Sequence, residues 1–103
     1  MKNIDTNEFR TIREQENAIV LDVRTPEEVY EGMIEGAMNI DIRNQYFQDR
    51  IEELERDKHY LMVCRSGARS AQAGMYMESI GFANVYNLDG GMLGWDGDTV
   101  RPN

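Results

Sequence analysis

Short apolar blocks recur along this chain, and their period switches between that of a strand and that of a helix. Ala18-Ile19-Val20-Leu21-Asp22-Val23 is mostly apolar and predicts a buried strand. Met38-Asn39-Ile40-Asp41-Ile42 alternates and predicts a second. Tyr60 to Val63 and Asn84 to Leu88 predict two more. Between them the spacing is helical. Phe47, Ile51 and Leu54 recur at intervals of four and three, which predicts an amphipathic helix from Tyr46 to Arg56. Ala73, Met77 and Ile80 lie on one stripe of a helix from about Ala68 to Ile80, and Gly81 stops it.

Polar residues punctuate these blocks. Asp5, with Glu8 three residues later, predicts a capped helix through about Gln15. Thr25-Pro26-Glu27-Glu28 supplies an N-cap, a first-turn proline and a glutamate at the third position, for a short helix ending near Gly32. Gly90 to Trp95 predicts a tight turn and a short helix. Strands alternating with helices at this spacing imply an α/β fold, a small and mostly parallel central sheet flanked by helices. Ligands of such sheets sit beyond the carboxyl ends of the strands. Asp22-Val23-Arg24-Thr25 and Cys64 to Arg69 both leave strands at that edge, so their polar residues are expected to share one pocket.

Composition narrows the classes. At 103 residues the chain is expected to form one domain over 1–103. Nineteen acids against eleven bases give a net charge of −8, which argues against nucleic acid or an anionic membrane as partner. Any anionic substrate must then be drawn by local geometry. Met1 to Asp5 turns polar at once, without an apolar signal core. No apolar run approaches the ~20 residues that span a bilayer. One cysteine and one histidine, His59, leave no Cys/His metal site, and neither metal nor cofactor is expected. A reducing cytoplasm is the expected location, where a lone thiol stays available.

That cysteine, Cys64, opens the segment Cys64-Arg65-Ser66-Gly67-Ala68-Arg69-Ser70, at the end of a strand and the mouth of a helix. Gly67 allows a tight turn, so successive N–H groups can face inward as an anion nest. The nest lowers the thiol pKa, and Arg65 and Arg69 are expected to lower it further. An inert buried cysteine is the competing reading, and the polar loop that follows argues against it. Loop size then bears on the chemistry. Cysteine phosphatases read C-x5-R. Here Arg69 is the fifth residue after Cys64, giving C-x4-R and a cradle better sized for sulfur than for a phosphoryl group.

Four segments in order carry a family resemblance: Leu21 to Thr25; Gly32-Met33-Ile34-Glu35-Gly36-Ala37-Met38-Asn39-Ile40; Cys64 to Ser70; and Leu88-Asp89-Gly90-Gly91-Met92-Leu93-Gly94-Trp95. Together they resemble the single-domain rhodaneses, a sulfurtransferase family. The resemblance implies Cys64 as nucleophile, loaded by a small anionic sulfur donor such as thiosulfate. The persulfide would be emptied by cyanide, a thiol or a protein acceptor. It implies that the N–H groups of Arg65, Ser66, Gly67, Ala68 and Arg69 stabilise the anionic sulfur. Arg65 is expected to meet the donor. Arg69 is expected to hold the loop by pairing with an acid, with Asp22 as the candidate. A protein-directed sulfur-relay module is the alternative, and a phosphatase or arsenate reductase on the same fold a third.

The chain departs from the family at Met33, where histidine is common, and a polar contact there is in question. Asp22 and Arg24 read equally as a structural ion pair under the loop or as substrate contacts. His59 reads as a surface residue in a polar turn, and Glu52, Glu53 and Glu55 as a solvated helix face. The methionines read as core filler, Trp95 as an aromatic closing the core, and Gly90 to Gly94 as a turn rather than a nucleotide loop.

Overall fold

The computed structural model describes residues 1–102. Its elements run β1 (Lys2–Ile4), α1 (Thr6–Arg13), β2 (Ala18–Asp22), α2 (Pro26–Tyr30), β3 (Met38–Asn39), α3 (Phe47–Glu52), β4 (His59–Val63), α4 (Ala68–Ser79) and β5 (Asn84–Leu88), then a 3-10 turn at Gly91–Gly94. Among the described residues, the strands form one sheet in the order β1-β5-β4-β2-β3, and each neighbouring pair is parallel. From β2 the chain moves outward to β3, and from β4 it moves the other way to β5. The strand order therefore reverses between β2 and β4, and in parallel sheets the crevice at such a reversal takes the ligand. The loops after Asp22 and Val63 open at this crevice, because Asp22 pairs with Val63 in register.

The strand period places the side chains. In β4, Tyr60 and Met62 join a cluster with Leu21, Val23, Phe47, Ile51, Ala73 and Met77, on the side covered by α3 and α4. Leu61 and Val63 join Ile4, Phe9, Val20, Ile34 and Leu88 on the other side, covered by α1. Cys64 continues the parity of Tyr60 and Met62 and falls in the first cluster. Phe9 meets Trp95 edge-on at 5.2 Å between centroids, so the indole closes the second cluster as its sequence position suggested.

Several expectations shift. β1 is unforeseen. Its three residues, Lys-Asn-Ile, bury only Ile4, and the strand is defined by pairing with β5 at the sheet edge rather than by alternation. The strand expected over Met38 to Ile42 shrinks to Met38–Asn39. Ile40 and Ile42 still donate to the carbonyls of Asp22 and Val23, so the segment stays tethered to β2. The helix expected from Tyr46 to Arg56 is Phe47–Glu52 only, and the Leu54 N–H turns back to Ile51. His59 is not in a turn. It starts β4, is half-buried, and stacks on Tyr86 with ring centroids 6.0 Å apart. Met33, Met62 and Met77 are core, but Met38 and Met75 are exposed. Met33 is buried and exchanges two backbone hydrogen bonds of 2.8 Å with Val100. Its position in this chain is thus an apolar one.

Candidate active site

The loop after β4 places Cys64 at its floor. The residue is 0 % exposed, whereas Arg65, Ser66 and Ala68 are exposed and Arg69 is half-buried. Gly67 is the N-cap of α4, with φ of +98°, a left-handed backbone that costs other residues ~1–2 kcal/mol. No side chain caps α4, so its first N–H groups are left to the sulfur. The Gly67 N–H donates to Cys64 Sγ at 3.1 Å, and the Ser70 hydroxyl lies 3.3 Å from it.

These contacts set the acidity of the thiol. Burial alone would push it up. The Ser70 hydroxyl and the backbone N–H groups of Ser70, Gly67 and Ser66 outweigh burial and hold the thiol below its ordinary range. Hydrogen-bond donors thus lead, rather than the arginine charges expected from the sequence.

A second loop fixes the first from behind. Met92 N–H donates to the Cys64 carbonyl at 2.9 Å and Leu93 N–H to the Arg65 carbonyl at 3.0 Å. With the Arg65 carbonyl drawn outward, the Ser66 N–H of the same peptide is left on the side of the sulfur. Gly91 makes this approach possible, since a Cβ there would stand 2.5 Å from the Cys64 oxygen. The paired glycines after β5 therefore serve close backbone packing.

Arg69 does pair with an acid, but the acid is not Asp22. Its two terminal nitrogens donate to the two carboxylate oxygens of Glu28, each at 2.8 Å. That fork raises the Arg69 pKa and holds the Glu28 carboxyl down from 4.5 to about 2, with Arg69 the leading cause. Glu28 also completes the capping box of α2 with Thr25, so one carboxylate ties the helix start after β2 to the loop after β4. Asp22 is occupied elsewhere. It accepts from Arg24 Nε at 3.0 Å and Nη2 at 2.8 Å, and both side chains are buried. Arg24 spends its remaining donors on the carbonyls of Glu28 and Gly32. Asp22 and Arg24 thus form a buried ion pair with each other.

Three residues that hold the loop or the sulfur are not marked for that role by the sequence. The sequence marks Glu28 only as a capping residue. Ser70 falls at the end of the loop motif. Asn87, a buried polar residue within β5, hydrogen-bonds Ser70, Gly67 and Asn3. An amide between Tyr86 and Leu88 in the strand interior is the available signal, since Asn is depleted in strands and costly to bury without partners.

This chain is similar to known proteins over nearly its whole length. The rhodanese-like domain family matches residues 5–98. YtwF of Bacillus subtilis is 39% identical over 104 residues, covering 100% of this chain and 98% of the relative. The thiosulfate sulfurtransferase GlpE of Pseudomonas putida is 35% identical over 94 residues, covering 91% of this chain and 84% of the relative. Among solved structures, a rhodanese-like domain protein from Staphylococcus aureus superposes with a TM-score of 0.85 at 32% identity, and each chain is covered in full, 100%.

Proposed function

This chain belongs to the rhodanese-like domain family, and from that premise we propose that it is a sulfurtransferase working through a persulfide on Cys64. The observation that carries the reading is the set of donors turned on one sulfur: Gly67 N–H at 3.1 Å and Ser70 Oγ at 3.3 Å, inside a loop of C-x4-R size. The Cys64 thiolate attacks the outer sulfur of a donor such as thiosulfate. The donor's S–S bond breaks and its electron pair leaves on sulfite, so a Cys64 persulfide anion remains. An acceptor nucleophile then attacks the terminal sulfur, and the Cys64 thiolate leaves in turn. Donors that stabilise the thiolate also stabilise the persulfide anion, as an oxyanion hole does for oxygen.

The remaining roles follow the same logic. Arg65, exposed on the loop, meets the anionic donor. Ser66 and Ala68 contribute backbone to the rim, and Arg69 braces the loop through Glu28. We read residues 1–103 as one domain, acting in a reducing cytoplasm without metal or cofactor. Leu93 is 67 % exposed and its N–H is bound to the Arg65 carbonyl, so an apolar side chain stands beside the cationic rim. That pairing favours, as a second reading, a protein acceptor over a free small thiol.

Initial rates with thiosulfate and cyanide test the main reading. Thiocyanate should form, with parallel double-reciprocal lines, because the enzyme alternates between loaded and empty forms. Lines that converge, or no thiocyanate from a folded protein, would exclude it. Rapid persulfide transfer to a protein thiol, with slow turnover on cyanide, would move the account to the second reading.

A further inference from the structure

Ser70 stands between two acceptors. Its oxygen is 2.6 Å from Asn87 Oδ1 and 3.3 Å from Cys64 Sγ. A hydroxyl has one proton to donate, so it cannot serve both at once. The Asn87 amide cannot simply turn over to relieve this. Its Nδ2 donates to the Gly67 carbonyl at 3.1 Å and to Asn3 Oδ1 at 3.0 Å. Exchanging nitrogen and oxygen would set Oδ1 against the Gly67 carbonyl oxygen. Asn87 is 3 % exposed, so water does not take over either role.

The choice of acceptor follows from charge. A neutral thiol is a weak acceptor, and the shorter contact then keeps the proton on Asn87. A thiolate or persulfide anion accepts about twice as strongly as a neutral group, which draws the proton to sulfur. Charge reaches the sulfur from Arg69 on α4, which is bound by Glu28 on α2 and lies in the field of Asp41. Arg65 is exposed on the loop itself. On the far side of Ser70, β5 and β1 contribute Asn87 and Asn3, both uncharged.

We propose that Asn87 is a positioning residue for the reacting sulfur. Its Oδ1 holds the Ser70 proton while Cys64 is a thiol and yields it when the sulfur is anionic, and its Nδ2 anchors the Gly67 carbonyl so that the Gly67 N–H stays on the sulfur. The inference rests on Cys64 as nucleophile, but its test reads ionisation and not sulfur transfer. The side-chain amide of Asn87 is followed by NMR through a pH titration, alongside the rate of Cys64 alkylation by iodoacetamide. The amide should move with the same midpoint as alkylation. In Ser70→Ala the movement should shrink several-fold. Asn87→Asp takes the Ser70 proton more strongly and cannot donate to Gly67, so alkylation at pH 7 should fall roughly tenfold, the loss of about one charged hydrogen bond.

An amide that stays fixed across the alkylation midpoint would overturn the proposal. So would equal movement in Ser70→Ala, or an unchanged alkylation rate in folded Asn87→Asp. If Asn87→Asp does not fold, the titrations of wild type and Ser70→Ala still decide. A protein that forms no persulfide, but whose amide follows Cys64, would sink the functional reading and leave this inference standing.

Discussion

Replacing Gly91 by alanine should damage this protein far more than a loop glycine ordinarily matters. Gly91 has φ of +55°, and an added Cβ would lie 2.5 Å from the Cys64 oxygen, 2.6 Å from the Arg65 oxygen and 2.7 Å from the Arg65 carbonyl carbon. All three are backbone atoms, so no flexible side chain can move aside. The left-handed backbone costs alanine ~1–2 kcal/mol. Relieving the overlap pushes the turn off the loop, and the hydrogen bonds from Met92 and Leu93 go with it, at about 1 kcal/mol each. The expected loss is about 3 kcal/mol in a urea melt, or more than about 10 °C in Tm for a domain of this size. Gly36→Ala is the control. Gly36 also has positive φ, +81°, but no atom of the described residues lies within 4 Å of its Cβ position. It should lose only the conformational cost, ~1–2 kcal/mol. With the Cys64 and Arg65 carbonyls released, Gly91→Ala should also alkylate more slowly at pH 7, whereas Gly36→Ala should not. Equal melting of the two variants, with equal alkylation, would refute the claim that the glycine turn aims the loop.

Three further outcomes follow from the site. Glu28 has its pKa depressed in the folded state, from 4.5 to about 2. Its contribution is therefore complete above pH 4.5 and fades as pH falls toward about 2. Urea midpoints at pH 5 and pH 3 should differ more in wild type than in Glu28→Gln, and equal differences would contradict the Arg69 fork. Asp22→Asn strips the buried Arg24 of its counter-charge and should cost about 3–5 kcal/mol by denaturant melt, with a loss under 1 kcal/mol counting against the buried pair. Arg65→Gln changes an exposed side chain, so stability should hold within about 0.5 kcal/mol. Its KM for thiosulfate should rise several-fold, and an unchanged KM would remove Arg65 from donor binding.

Elements set by local physics are legible in the sequence. β5 spans Asn84–Leu88 as expected, because glycine-containing turns flank it and Val85, Tyr86 and Leu88 favour a strand. The cap of α2 was legible down to the role of Glu28, since a capping box involves neighbours in the chain. What failed was long-range. β1 exists because a neighbouring strand offers hydrogen-bond partners to Lys2, Asn3 and Ile4, and no pattern within those residues announces it. Asp22 is the acid expected for Arg69. Yet Arg24 sits two residues from Asp22 and takes that carboxylate first, leaving Glu28 to Arg69. The loop motif pointed to Cys64, but the partners that orient its donors lie on β5 and the turn after it. Their distance along the chain hid them.

The persulfide mechanism requires that Cys64 carry transferable sulfur. Incubation with thiosulfate, removal of the excess and measurement of intact mass address this directly. Wild type should gain one sulfur atom, which peptide mapping places on Cys64 and which cyanide removes. Cys64→Ser, near-isosteric but a far weaker nucleophile at neutral pH, should remain folded and gain nothing. A folded wild type that gains no sulfur, or a Cys64→Ser protein that gains it equally, would contradict the persulfide mechanism.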